Sequence, residues 1–233
     1  VVTQYKITDA PSSSVDNYST VIVQAQDQFG NKNFNHEDDV KLKIGSGTSA
    51  LTLAAPAANL DPDGIANQIV TIDIANGQGQ AYLTDRIVEQ AKIFLENVVG
   101  QSLTLDPSVS DSHKAVSFVH GAALKYVFTP LASPPTTDGP FTIDLEAQDR
   151  WGNKATTFND SIAVNVNKNA FIAGTADKVK KVAILNGGGS VDIEDAVVET
   201  SVLASLSNAL GSNTANIVMT DTLVFDVGFG APD

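Results

Sequence analysis

Cysteine is absent from all 233 residues, which excludes disulfides, thiolate metal centres and cysteine nucleophiles, although it does not by itself fix the compartment. Aromatic residues make up only 6% of the chain, with a single tryptophan and four tyrosines, so platforms for stacking on sugar rings are few. Basic residues are scarce too: 14 Lys and Arg stand against 27 Asp and Glu, a formal charge of −13. A phosphate backbone or an anionic membrane face would be repelled by that balance, and nucleic acid is not an expected partner. No apolar run approaches the ~20 residues of a membrane-spanning helix, so membrane insertion is not expected either. The start is not basic-then-apolar, as a secretory leader would be; if the protein is secreted, the chain is expected to be a processed or excised segment.

What the chain does contain is itself, twice. Val23-Gln-Ala-Gln-Asp-Gln-Phe-Gly-Asn31-Lys32 returns as Leu145-Glu-Ala-Gln-Asp-Arg-Trp-Gly-Asn153-Lys154, 122 residues on. Asn76-Gly77-Gln78-Gly79, followed by Asp85 and Val88-Glu89, returns as Asn186-Gly187-Gly188-Gly189, followed by Asp195 and Val198-Glu199, 110 residues on. Val116-Ser-Phe118-Val-His-Gly121 is answered by Val224-Phe225-Asp-Val-Gly228. Several ordered blocks recurring in one sequence indicate two copies of one domain in tandem. At about 115 residues each, both are large enough for a core of their own. The division falls at His120-Gly121-Ala122-Ala123, giving domains 1–121 and 122–233. With no Gly/Ser or Pro spacer there, the junction is expected to restrict the angle between the copies.

Apolar and polar residues alternate at period two through both halves, as in Val21, Val23 and Ala25 with Thr20, Ile22 and Gln24 between them. Strands are expected near 4–8, 19–27, 40–45, 68–75, 80–84, 91–97 and 115–120, and again near 125–129, 140–148, 161–166, 179–185, 190–194, 201–207 and 222–227. Seven short strands per copy, separated by Gly, Asn, Asp and Pro clusters, specify an all-β chain of two tandem immunoglobulin-like antiparallel β-sandwiches. The stretch from Val197 to Leu210 also fits a helical stripe. Its repeat partner, Ala91 to Asn97, alternates and carries β-branched and aromatic residues, so strand is expected in both. The drop in offset from 122 to 110 places 12 extra residues of domain 1 within 45–67, expected as a small strand near Leu51 to Ala55 and a loop.

Ala25-Gln-Asp-Gln-Phe-Gly-Asn31 and Ala147-Gln-Asp-Arg-Trp-Gly-Asn153, each followed by an Asn-Gly-x-Gly turn, resemble bacterial Ig-like domains of the invasin and intimin type. Tyr126-Val-Phe-Thr-Pro130 with Pro140-Phe141-Thr142-Ile143 resembles the opening of such repeats, and filamin-like repeats are a more distant likeness. The resemblance implies a tandem sandwich displayed outside the cell, in an adhesin, a surface layer or a filament. It implies no particular receptor, since intimin-like and invasin-like adhesins bind through a lectin-like tip domain that this sequence lacks. The residues also have a structural reading of their own. Gly30 and Gly152 supply the positive φ of a tight turn, Asn31 and Asn153 cap it, and Phe29 and Trp151 lie over the end of the sandwich.

Catalysis is not expected. No Gly-x-Ser-x-Gly elbow occurs, Gly187-Gly188-Gly189 lacks a following P-loop lysine, and His36, His113 and His120 show no metal spacing and read as ordinary surface histidines. No cofactor is required. Calcium is the one cation the acidic loops would suit, through Glu37-Asp38-Asp39, Asp61 with Asp63, or a junction set of Asp85, Glu89, Asp149 and Asn153, although no EF-hand pattern is present. Arg86, Arg150 and Trp151 are expected to pack between the domains. Asn17-Tyr-Ser19 and Asn159-Asp-Ser161 match the N-glycosylation acceptor, relevant only in a glycosylating host.

The expected function is thus a non-enzymatic, extracellular or cell-surface module, a spacer or assembly unit. Its partners would be other domains of the same protein or neighbouring copies. The competing expectation is an adhesion or carbohydrate-binding module that recognises a host protein, surface protein or glycan through loop 45–67.

Overall fold

A computed structural model describes residues 1–55, 68–99, 113–211, 213, 215 and 217–229. The chain divides into two units, Val1–Gly121 and Ala122–Asp233. Unit 1 contains β1 (Gln4–Asp9), β2 (Ser13–Ser14), β3 (Tyr18–Gln26), β4 (Val40–Ser46), β5 (Ala50–Thr52), β6 (Ile69–Ile72), β7 (Gln78–Thr84), β8 (Gln90–Asn97) and β9 (His113–Val119). These form one sheet in the order β1-β3-β7-β5 and another in the order β2-β9-β8-β4-β6. Every pairing is antiparallel except the short one between β2 and β9.

Unit 2 repeats the plan with β10 (Lys125–Phe128), β11 (Phe141–Gln148), β12 (Asp160–Val166), β13 (Phe171–Ile172), β14 (Val179–Ile184), β15 (Gly188–Glu194), β16 (Glu199–Ser207) and β17 (Thr222–Val227). Its sheets run β10-β11-β15-β13 and β14-β12-β16-β17. A bridge from Thr136 to Gly228 stands where β2 meets β9 in unit 1. The structure is therefore two immunoglobulin-like sandwiches. Among the described residues no helix is long and apolar enough to cross a membrane.

Alternation decides which side of each strand is buried. Val21, Val23 and Ala25 of β3 are fully buried, and so are their counterparts Ile143, Leu145 and Ala147 of β11. A one-residue slip would turn each set out to water, so the hydrophobic pattern fixes the register. In the last strands the inward pairs are Val116 with Phe118 and Phe225 with Val227, while Val224 is 59% exposed. The stretch with helical spacing is β16, because Val202, Ala204 and Leu206 alternate into the core and β12 and β17 flank it on both sides. Only its end departs, in a 3₁₀ turn at Ala209–Gly211.

The extra strand expected near Leu51 does exist, as β5, but it is not the insertion. Leu51 pairs with Leu83 as Ile172 of β13 pairs with Ile193, so both units own this strand. The register offset is still 121 at Leu51 and Ile172, and has become 110 at Leu83 and Ile193. The added residues of unit 1 consequently fall between β5 and β6, and most of that stretch, 56–67, lies outside the described residues.

The Asn-Gly repeats are two-residue hairpin turns, with φ of 52° and 72° at Asn76 and Gly77 and of 51° and 72° at Asn186 and Gly187. Both central residues at positive φ is the geometry whose twist matches the flanking strands. Each turn also docks on its own domain: the Gly187 amide donates to the Phe158 carbonyl at 2.8 Å, and the Ala147 amide donates to the Gly187 carbonyl at 2.9 Å. A Cβ on Gly187 would press on the Ala155 carbonyl.

Two outcomes follow for unit 2, which holds the chain's one tryptophan. Leu145→Ala, at a site 1% exposed, lowers its stability by about 2–5 kcal/mol. Gly187→Ala lowers it by about 1–3 kcal/mol. Denaturant unfolding followed by Trp151 fluorescence measures both.

Candidate functional site

Three polar devices recur at matching positions. The first is the turn after β3 and β11. Asp27 Oδ1 accepts the amides of Phe29 and Asn31, each at 2.9 Å, and Asn31 Nδ2 donates back to Asp27 Oδ2 at 3.1 Å. Asp149 does the same with Trp151 and Asn153, at 2.9, 2.9 and 3.0 Å. Gly30 and Gly152 sit at φ of 84° and 92°. The glycines behave as expected, but the hub is the aspartate, and the asparagine closes onto it. The Asn31 side chain and backbone hold the Asp27 carboxyl below the ordinary carboxylate value. Phe29 departs from its expected place over the sandwich end: it is 78% exposed. Trp151 is half-buried beneath its neighbour, with the Arg150 guanidinium 4.5 Å from the ring centroid.

The second device pins the approach to β4 and β12. The buried Tyr5 hydroxyl lies 2.7 Å from His36 Nε2 and 2.8 Å from the Asp38 carbonyl, and Tyr126 donates to Asp160 Oδ2 at 3.0 Å. Burial, then Asp38 and Asp39, push the Tyr5 hydroxyl up to about 12. Burial and Asp160 push Tyr126 up as well. Both therefore remain donors through the physiological range. His36, expected as an ordinary surface histidine, has a side chain only 12% exposed, with its ring 5.5 Å from that of Tyr5. Phe158 fills the same place beside Tyr126.

The third device is a pair of acids. Asp85, 3% exposed, lies with Glu89 beside the loop between β4 and β5. Asp85 accepts from Ser49 Oγ at 2.6 Å and from the Ile87 amide at 2.9 Å, and Glu89 accepts from the Thr48 amide. The Thr48 hydroxyl lies 3.2 Å from Asp85 Oδ1 and 3.1 Å from Glu89 Oε1. Unit 2 has Asp195, 1% exposed, with Glu199. This second pair was visible in the sequence only as a recurrence of Asp and Val-Glu 110 residues on, and its chemistry needs the fold to bring two loops together.

The expected site residues thus fall into separate local groups. Asp85 and Glu89 share one cluster in unit 1, with Arg86 next in chain and half-buried. Asp149 and Asn153 share a turn in unit 2, where the amides of Trp151 and Asn153 and the Asn153 side chain already occupy the carboxylate. Among the described residues no three His, Cys, Asp or Glu side chains come together as a metal site would require. Asp61 and Asp63 lie outside the described residues.

No family model matches the chain, and no curated protein matches it. Among solved structures it is similar to FdeC, an Escherichia coli adhesin, at 12% identity over 97% of this chain and 63% of that one, with a TM-score of 0.41. It is similar to invasin, a bacterial integrin-binding protein, at 14% identity over 97% of this chain and 39% of that one, with a TM-score of 0.37. A glycosyl hydrolase family 2 member from Bacteroides cellulosilyticus matches at 11% identity over 90% of this chain and 23% of that one, with a TM-score of 0.39. The chain spans less than two thirds of the length of each of these three. The sandwich assignment follows from the strand pairing alone.

Removing the turn hub is the direct test of its role. Asp149→Ala strips the Trp151 and Asn153 amides of their acceptor and is expected to cost about 1–3 kcal/mol in unit 2, with faster hydrogen exchange at those two amides. In unit 1, where the folded Asp27 carboxyl is lowered, the stabilisation is present above the unfolded value and lost as pH falls through the folded one. The Phe29 and Asn31 amides should lose protection in that acid range.

Proposed function

We propose that the chain is a non-enzymatic, tandem immunoglobulin-like module of a protein displayed outside the cell, acting as a spacer or assembly unit. One observation carries this reading: the two units repeat the same sandwich and the same three polar devices, in the order Tyr5, Asp27, Asp85 and Tyr126, Asp149, Asp195. Selection for a repeated, self-closed unit suits a part that sets distance, because each copy buries its own core and copies can be added without loss of stability. The acidic balance keeps such an array soluble.

The competing reading is recognition of a surface protein or glycan through residues 45–67. What favours it is the position of the insertion, between β5 and β6 of one unit only. Deleting 56–67 and comparing binding on glycan and protein arrays distinguishes the two, since a spacer loses nothing.

The spacer reading includes packing of Arg86, Arg150 and Trp151 at the junction, which rests on the sequence. It requires no cofactor. Light scattering and small-angle X-ray scattering of the full chain test it: the expected result is a monomer whose maximum dimension is independent of concentration and of added calcium, and altered by Trp151→Ala. An unchanged Trp151→Ala profile removes the junction packing. Calcium-dependent dimensions reassign Asp85, Glu89, Asp149 and Asn153 as ligands, and growth with concentration favours an assembly unit over a spacer.

A further inference from the structure

In unit 2, Asp195 is 1% exposed and its Oδ1 accepts the Val197 amide at 2.9 Å. Its Oδ2 is buried and, among the described residues, has no hydrogen-bond donor. The neighbour it meets is Glu199, itself an acceptor of the Asn169 amide at 3.0 Å and of Asn169 Nδ2 at 3.4 Å. Two ionised carboxylates cannot hydrogen-bond, since each only accepts, and a buried acceptor without a donor is costly. One proton resolves both problems, because a protonated Asp195 donates to Glu199.

We infer that unit 2 carries a built-in proton site, in which Asp195 and Glu199 share a single proton that closes the loop between β15 and β16, while Glu199 holds the loop before β13 through the Asn169 amide. The two copies are not equally supplied with donors. Ala50 pairs with Thr84 as Phe171 pairs with Glu194, so Ser49 and Thr48 of unit 1 correspond to Ala170 and Asn169 of unit 2. The Ser49 hydroxyl serves Asp85, whereas an alanine offers Asp195 nothing. Hydroxyl donors of Thr48 and Ser49 thus serve Asp85 in unit 1, where unit 2 has the shared proton.

The surrounding charges agree with a proton rather than a metal cation. Asp85 faces Glu89, with Arg86 next in chain. Asp195 faces Glu199 and, further off, Lys178, whose Nζ donates to the carbonyls of Lys168 and Ala170; Glu199 faces Lys168. Two lysines beside the unit 2 pair oppose a divalent ion but tolerate a singly charged acid pair.

The directions of ionisation are consistent in both copies. Burial, then the neighbouring glutamate against the local donors, raises Asp85 and Asp195. Burial opposes ionisation of the glutamates too, but the amides of Thr48 and Asn169 together with the partner aspartate leave both lowered. A raised acid contributes stability that is lost as pH rises through its folded value, and a lowered acid contributes stability that is lost as pH falls through its own. The unit 2 clasp is therefore tightest between the two values, with one proton on the pair, and loosens on either side.

Carboxyl-carbon NMR titration of the full chain tests this without any substitution. The expected result is an Asp195 midpoint displaced upward from the ordinary aspartate value, with Glu199 sensing the same step; an ordinary midpoint for Asp195 overturns the inference. Ala170→Ser, which installs the unit 1 hydroxyl, should move the Asp195 midpoint down. Asp195→Asn replaces the shared proton by an amide that donates at every pH, so the Trp151-monitored melting temperature should lose its decline from mildly acidic to neutral pH. A variant that keeps the wild-type decline contradicts the proton site.

Discussion

Alternate side chains of two facing sheets must meet face to face, and no disulfide compensates if they slip. That constraint governs the rest of the molecule, because a shift of one residue in β3 or β11 would expose Val21, Val23 and Ala25 or Ile143, Leu145 and Ala147 together. The polar devices all act at strand ends, where register is set. The Asp27 and Asp149 turns fix where β3 and β11 stop, the tyrosines fix where β4 and β12 begin, and the Asn-Gly turns fix the entry to β7 and β15. The tyrosines and the Asn-Gly turns each use a group from elsewhere in their own unit and form only when the sandwich around them has formed, whereas the Asp27 and Asp149 turns close within five residues.

Much of the fold was legible in the sequence for a simple reason. Half-buried antiparallel strands print their pleat as alternation, and duplication supplied a second reading wherever one copy was ambiguous, as it did for β16. The misassigned insertion shows the limit. A short edge strand such as β5 or β13 leaves only two or three residues of pattern, too little to recognise in both copies, so the added residues were credited with a strand that both units possess. In the last block the core place of Val116 is taken by Phe225, while Val224 faces out.

The site was less legible. Recurrence of Asp85 and Glu89 as Asp195 and Glu199 was plain, but sequence distance does not tell a solvated acid from one buried beside another. That distinction depends on β5 and β13 bringing Ser49 or Ala170 against the acids, a contact across more than 20 residues. Asp27 and Asp149 were read as members of a turn motif rather than its hub, since the carboxylate's three partners become evident only when the turn closes. His36 looked like a loop histidine because its partner, Tyr5, lies 31 residues away.

The central claim is that both units are closed by the same local devices acting on the same register. Residue-resolved native-state hydrogen exchange measures this most directly. The account predicts matched protection at equivalent amides, Val21 with Ile143 and Ala25 with Ala147, extending into the turns at Asn31 and Asn153 and at Gly77 and Gly187. Protection confined to one unit, or turn amides exchanging freely while the strands stay protected, would contradict it.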